Sequence, residues 1–288
     1  MEKKSSRLGV PQSLCLALVL GLPLFQCLPL FAEATVIRDR DSFDVDTELN
    51  SGLLRDDQFS ATGAALDVIS GGLPAAADLQ ALAIQENGAI YFAVDSSIEL
   101  SGGQLAEPGD VVKVEAGSEP GLEFDRSSLG LDPGASIDAI TVTDDAGFPL
   151  AISFDVAVEL PTTGGFFLAD DEDLVKTDGV TFEPYFDGSA VGIPAAADLD
   201  AAQLDVEAEE LRLSFDISGI VAGILFDDED LLGYETTGGN WRLVRDTSLA
   251  SSGLAAGADL DAHAFVLEEA LFVDDFESGD TLAWSLTN

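Results

Sequence analysis

The stretch "LPAAADLQAL", Leu73 to Leu82, returns as "IPAAADLDAA" (Ile193 to Ala202), as "LAAGADLDAH" (Leu254 to His263) and, more loosely, as "LDPGASIDAI" (Leu131 to Ile140). Its anchoring apolar residues Leu79, Ile137, Leu199 and Leu260 stand 58, 62 and 61 positions apart. A period of that length means one structural unit copied along the chain, each copy burying its apolar surface on the next. The fold must therefore be built from repeats of about 60 residues.

Each unit keeps one internal order. After the "ADLDA" lead-in come an apolar strand, a tight turn and a second strand, as in "LAIQENGAIYFAVD", "ITVTDDAGFPLAISFD", "LDVEAEELRLSFD" and "FVLEEALFVDD". Asn87-Gly88 in the first of these predicts a type I′ hairpin, whose two central residues both need positive φ. A Gly-rich loop then leads to an acidic turn and a third strand, "EPGDVVKV", "DDEDLVKT" or "DDEDLLGY". A fourth strand follows in "GLEFDRS", "TFEPYFDG" and "NWRLVRD". The second strands, such as "AIYFAV" and "PLAISF", are continuous apolar runs, the pattern of strands covered on both faces.

Four short strands per unit, repeated radially, predict an all-β, β-propeller-like ring of four-stranded blades. The units run over about 73–131, 132–193 and 194–254, with partial units at 35–72 and 255–288. Joining the partial units would let carboxyl-terminal strands complete the amino-terminal blade and remove exposed edges. Four blades is the preferred count; five blades or an open β-repeat stack are the alternatives, since the second strand is echoed at both ends. The alternation of "ADLDA", "LSFD", "DDEDLL" and "YFDGS" resembles tandem repeats of uncharacterised secreted bacterial proteins with propeller-like blades. That resemblance implies a fold and no particular activity. The terminal "DDFESGDTLAWS", Asp274 to Ser285, resembles a short segment near the carboxyl ends of bacterial exported proteins.

Residues 1–34 are read as an address. Lys3, Lys4 and Arg7 precede an apolar run that ends in Ala32-Glu33-Ala34, the arrangement of a cleaved secretory signal. The expected product is a single domain, 35–288, that is secreted to the cell surface, the periplasm or the medium, with no membrane insertion after cleavage. Cys15 and Cys27 both lie in the signal, so the remaining chain has neither disulfides nor thiolate ligands. It also carries nine Lys and Arg against 52 Asp and Glu, a net charge of −43. Such a chain repels nucleic acid, whose binding requires bases to displace condensed counterions. It attracts cations.

The acid-rich segments are therefore the candidate sites. Asp171 and Asp173 in one "DDED" turn and Asp228 and Asp230 in the other offer oxygens to calcium, although an EF-hand spacing is absent. Asp110 holds the place of Asp173 without flanking acids, which points instead to a backbone-capping role for that aspartate. The lead-ins supply a second set, Asp198, Asp200, Asp259 and Asp261, which would converge if the lead-ins surround a channel. Ser136 and Gln80 interrupt this set, and Asp138 extends it.

Catalytic signals are few. There is no Gly-x-Ser-x-Gly elbow, and His263 takes a position where sibling units have Leu82, Ile140 and Ala202. Tyr91, Tyr185, Trp241 and Trp284 are candidates for stacking on sugars or for the core. The expected function is a non-enzymatic binding or structural protein, calcium-stabilised, with an extracellular protein or glycan as partner. The alternative is a secreted carbohydrate-active hydrolase using paired carboxylates.

Overall fold

The computed structural model describes residues 34–42, 47–49, 52–54, 58–61, 64–69, 72–74, 77–246 and 260–270. The chain divides into two units, 1–33 and Ala34–Asn288. Residues 1–33 of the expected signal segment, Asp259, Trp284 and the "DDFESGDTLAWS" tail lie outside the described residues. What is described is almost wholly β, with two single-turn 3-10 helices.

Chain order runs β1 (Ala34–Ser42), β2 (Thr47–Leu49), β3 (Gly52–Leu54), β4 (Gln58–Ala61) and β5 (Ala64–Asp67). The first full unit follows as β6 (Leu79–Ile84), β7 (Ile90–Val94), β8 (Ile98–Glu99), β9 (Leu105–Ala106), β10 (Val111–Val114) and β11 (Gly121–Phe124). The second is β12 (Ile137–Val142), β13 (Leu150–Phe154), β14 (Val158–Thr162), β15 (Gly165–Ala169), β16 (Leu174–Thr177) and β17 (Phe182–Phe186). The third is β18 (Ala201–Asp205), β19 (Glu210–Ser214), β20 (Gly219–Val221), β21 (Ile224–Phe226), β22 (Leu231–Glu235) and β23 (Trp241–Arg245); β24 (Ala262–Ala270) ends the described chain.

Each full unit forms one antiparallel four-stranded sheet, in the orders β6-β7-β10-β11, β12-β13-β16-β17 and β18-β19-β22-β23. The second strands β13 and β19 are buried along their whole length, as their unbroken apolar character predicts. The innermost strands touch in a cycle: β6 lies against β12, β12 against β18, β18 against β24 and β24 against β6. Strand β24 pairs antiparallel with β1 over nine residues, Ala34↔Ala270 to Ser42↔Ala262. Strand β1 lies against β4, which pairs with β5. Both ends of the chain thus meet in two hydrogen-bonded pairs, β24-β1 and β4-β5, that lie side by side as a fourth blade-like group. Of the two strands expected from the carboxyl-terminal unit, one is described, and the residues after Ala270 lie outside the described residues.

Two local expectations are corrected. The Gly-rich loops between second and third strands are themselves two-stranded hairpins, β2-β3, β8-β9, β14-β15 and β20-β21. At Asn87-Gly88 the hairpin forms, but only Gly88 (φ 83°) is left-handed, so the turn is not type I′. The two-residue turn with both central residues at positive φ lies instead at Ala222 (50°) and Gly223 (84°), between β20 and β21.

Repeated aspartates fasten each blade. Asp95, Asp155 and Asp216, one or two residues past the second strands, donate their N–H to the carbonyls of Asp78, Ser136 and Asp198. Their carboxylates accept the N–H of those same residues at 2.7, 2.7 and 2.8 Å. Between blades, Thr141 Oγ1 accepts the N–H of Leu204 at 2.8 Å, satisfying an innermost-strand amide that has no further strand to pair with. The fourth blade is tied to the third by Arg245, whose guanidinium donates to both oxygens of Asp41 at 2.7 and 3.0 Å. Asp41 also sits 2.8 Å from Nδ1 of the fully buried His263, its register partner on β24. His263 is therefore a core histidine of the junction.

Candidate functional site

The acidic turns are built around one capping aspartate. Asp173 accepts the N–H of Asp170 (3.2 Å) on one oxygen and of Gly188 (3.0 Å) on the other. Asp110 does the same with Glu107 and Arg126, both at 2.9 Å. Asp230 accepts the N–H of Asp227 at 3.1 Å. Burial raises Asp110 and Asp173 above the usual carboxylate range, although each receives two backbone N–H groups. The backbone on either side of the third acid is anchored too, because Ser153 donates to the carbonyls of Asp171 and Asp173, and Ser214 to those of Asp228 and Asp230.

The third acid of the first "DDED" turn, Glu172, fills space. A Cβ placed on Gly188 would sit 2.6 Å from Glu172 Cγ, and one on Gly109 would sit 2.2 Å from Arg126 Cδ. Gly109 and Glu172 hold equivalent positions, as do Arg126 and Gly188. Each blade therefore admits one long side chain at this place, from the turn in one and from the fourth-strand exit in the other. Arg126 anchors there through Glu107 and the Asp132 carbonyl, both at 2.7 Å. Burial, then its hydrogen bond with Asp171, pushes Glu172 up to about 7. A hydrogen bond with Asp228, then burial, brings Glu229 to about 7 as well.

The lead-in aspartates meet where the innermost strands begin. Gln80 Nε2 donates to Asp138 Oδ1 at 2.7 Å, joining β6 to β12. Burial pushes Asp138 up to about 9, aided by the charges of Asp198 and Asp155, a hydrogen bond with Asp198 and the charge of Asp261. Asp198 is raised to about 7 by burial and by Asp171 and Asp216. Of the candidate ligands, Asp198 and Asp261 thus act on Asp138, and Asp171 acts on Asp198. Asp198 Oδ1 accepts the Leu199 N–H, and the Asp200 N–H goes to the Ser214 carbonyl. Asp173, Asp228 and Asp230 remain with their own turns. Among the described residues, no three His, Cys, Asp or Glu side chains are grouped so as to hold a metal ion.

The hairpins between second and third strands stand where the sequence predicts plain loops, and the three in the full units carry apolar side chains into solvent. Leu105 (51% exposed), Leu168 (61%) and Leu225 (72%) hold the same register position, opposite Glu99, Glu159 and Ile220. Leu53 stands at that position on β3, opposite Glu48. Phe166 (69%) and Ile220 (58%) extend the exposed surface. The opposite faces of these hairpins are core: Ile98, Leu160, Val221 and Phe226 are buried. The signal was present in "QLA", "FLA", "ILF" and "GLL", each with a central Leu shortly before the acidic turn.

The aromatics divide. Tyr91 is buried with Lys113 Nζ 5.4 Å from its ring centre. Trp241, half-buried, donates to the Val191 carbonyl at 3.2 Å and packs 4.9 Å from Tyr234 and 6.2 Å from Phe186. A cavity of about 320 Å³ beside this cluster includes Tyr185, Phe186 and Tyr234 but one carboxylate, Asp187. A larger cavity, about 390 Å³, has carboxylates and no aromatic ring in its lining. Neither brings two carboxylates and an aromatic together. Among the described residues no helix is long and apolar enough to cross a membrane.

Neither a protein-family model nor a curated protein sequence matches the chain. Solved structures with some likeness include a nidogen/laminin complex, at 10% identity and TM-score 0.32 over 81% of this chain and 99% of that one. A protein of unknown function from Bacteroides caccae matches at 7% and 0.31 over 81% and 100%. YCF48 bound to D1 peptide matches at 8% and 0.28 over 70% and 81%. At these values the likenesses say nothing of what this chain does.

The raised carboxyls set a pH dependence. Folded Asp138 and Asp198 keep protons that the unfolded chain releases above about pH 4, so their contribution is present below that pH and fades as pH rises toward 7 and then 9. Asp41 works in the other direction. Burial raises it, but Arg245 and His263 outweigh burial and hold it well below the usual range, so its contribution is lost on acidification below about pH 4. Thermal melts in chelator should peak near pH 5 and decline toward pH 9. Asp138→Asn, which keeps the Gln80 bond without the charge, should flatten that decline and stabilise the protein by about 2 kcal/mol at pH 9. An unchanged decline in the variant would show that Asp138 does not carry it.

Proposed function

We propose that the chain is exported by residues 1–34 and acts as a non-enzymatic binding protein through its hairpin-bearing end. The observation that carries this reading is the set of equivalent exposed leucines, Leu105, Leu168 and Leu225, one per full blade. Monomeric proteins seldom repeat large apolar side chains in solvent at one structural position unless something covers them. Glu99 and Glu159 directly across the strands give two of the leucines an acidic companion. A protein partner with apolar anchors and basic neighbours complements that surface, and the net charge of −43 steers such a partner in. The hydrolase alternative has no comparable support, because neither cavity pairs two carboxylates with a sugar-stacking ring.

The test is panning of a peptide display library on the purified 35–288 chain. Selected peptides should combine Lys or Arg with large apolar residues. Replacing Leu105, Leu168 and Leu225 together by Asp should weaken their binding at least tenfold while the melting profile is kept. Ligands indifferent to the triple replacement would refute the surface, and turnover of glycans by the pure chain would refute the non-enzymatic reading.

Calcium is the cation we propose for the acids of the lead-ins and the neighbouring turn, which would have to draw closer together around it. Its binding would displace the proton held by Asp138 and Asp198 and draw on Asp171 and Asp261. Calcium should then raise the melting temperature at pH 7.5 above that in sodium chloride of equal ionic strength, by linkage to the native state. Equal rises in both salts would mean charge screening alone.

A further inference from the structure

The opposite end of the innermost strands holds a second feature, independent of the hairpin surface. There the turns after β6, β12 and β18 surround the cavity of about 390 Å³, a volume suited to a small ligand. Ile84, Val142, Leu204 and Val206 give it apolar walls, and Glu86, Asp144, Asp205 and Glu207 line it with carboxylates from three blades. No Lys or Arg is among its lining residues. Asp205 is engaged by Arg212 at 3.2 Å, behind the wall. Glu86, Asp144 and Glu207 are exposed.

Gln203, which also lines the cavity, is only 6% exposed. Its Nε2 donates to the Leu204 carbonyl at 3.0 Å, while its Oε1 is buried with no hydrogen-bond partner. Flipping the amide would set oxygen against the Leu204 oxygen, so the unfilled atom stays an acceptor. Native proteins leave few buried acceptors unfilled, and this one lies where the innermost strand meets the cavity. The missing partner is a hydrogen-bond donor. The surrounding carboxylates require it to be positively charged, and the apolar walls require hydrocarbon beside the charge.

We propose that this cavity binds a linear aliphatic diamine or polyamine. One ammonium group donates to Gln203 Oε1, the methylene chain lies along Leu204, Val142 and Ile84, and the second ammonium group meets Glu86, Asp144 and Glu207 at the mouth. A bare divalent cation fits less well, because an amide oxygen deep in an apolar-walled cavity provides one ligand of the six or more that calcium takes.

Isothermal titration of the 35–288 chain with 1,5-diaminopentane in 150 mM sodium chloride tests this. Binding should saturate at one per chain. It should fall at least tenfold in Gln203→Leu, fall several-fold in Asp144→Asn with Glu207→Gln, and be unchanged in Glu119→Gln, an exposed carboxylate outside the cavity lining. Butylamine, with one ammonium group, should bind more weakly than the diamine. Should Gln203→Leu fail to fold, the Asp144/Glu207 pair carries the test alone. Non-saturating uptake at many sites, or equal binding by the cavity variants and Glu119→Gln, would overturn the proposal and mark diffuse attraction to the acidic surface. Calcium binding at this cavity with no diamine binding would overturn it as well.

Discussion

Nine consecutive residue pairs between β1 and β24 bring residues 34 and 270 side by side, and the arrangement of the blades turns on that junction. Without it β6 and β18 would each lack the neighbour that β24 provides, and β4 and β5 would be a lone hairpin, which is marginal in water. The junction is also where the sequence spends a rare base. Arg245, one of nine Lys and Arg after residue 34, leaves the third blade to grip Asp41, and His263 completes the contact from β24. Removing Asp41 would strand a buried guanidinium and imidazole together, a loss of about 3 kcal/mol for a mostly buried pair.

Much of this was legible in the residues. The 58-to-62-residue spacing gave the blades, and unbroken apolar runs marked the second strands because both faces of those strands are covered. The capping aspartates were legible through "EPGD", where the extra acids are missing and Asp110 persists. The inserted hairpins were not, because strands as short as Ile98–Glu99 and Gly219–Val221 leave too few alternations to register as a period. Turn chemistry misled at Asn87-Gly88 for a local reason: Asn87 Oδ1 accepts the Ala89 N–H, an Asx turn that leaves only Gly88 left-handed. The exchange of Gly109 with Arg126 for Glu172 with Gly188 joins positions 16 or 17 residues apart, and no local pattern reveals it.

The site residues show how so acidic a chain folds. Its described bases are matched to carboxylates, Lys176 with Asp145 and Glu183, Arg242 bidentate with Glu210, Lys113 with Glu115. Acids beyond that supply are accommodated by backbone N–H groups, as at Asp173, or by a retained proton, as at Asp138. The two ends of the innermost strands consequently differ. One gathers buried, proton-holding aspartates; the other opens an acid-mouthed cavity over Gln203. Both the exposed leucines of the hairpins and the lining of the cavity are contributed by three units, so each depends on the repeats lying side by side.

Closure can be measured directly, because the chain after residue 34 has no cysteine of its own. Ile37 and Leu267 are direct partners across β1 and β24, and paired Cα atoms about 4.5–5.5 Å apart lie within reach of a disulfide. Ile37→Cys with Leu267→Cys, oxidised at low protein concentration, should give a monomer cross-linked within itself, seen as faster migration without reductant and a mass two hydrogens lighter. Thiols that stay free, or that join only different molecules, would contradict the pairing of β1 with β24 within one chain.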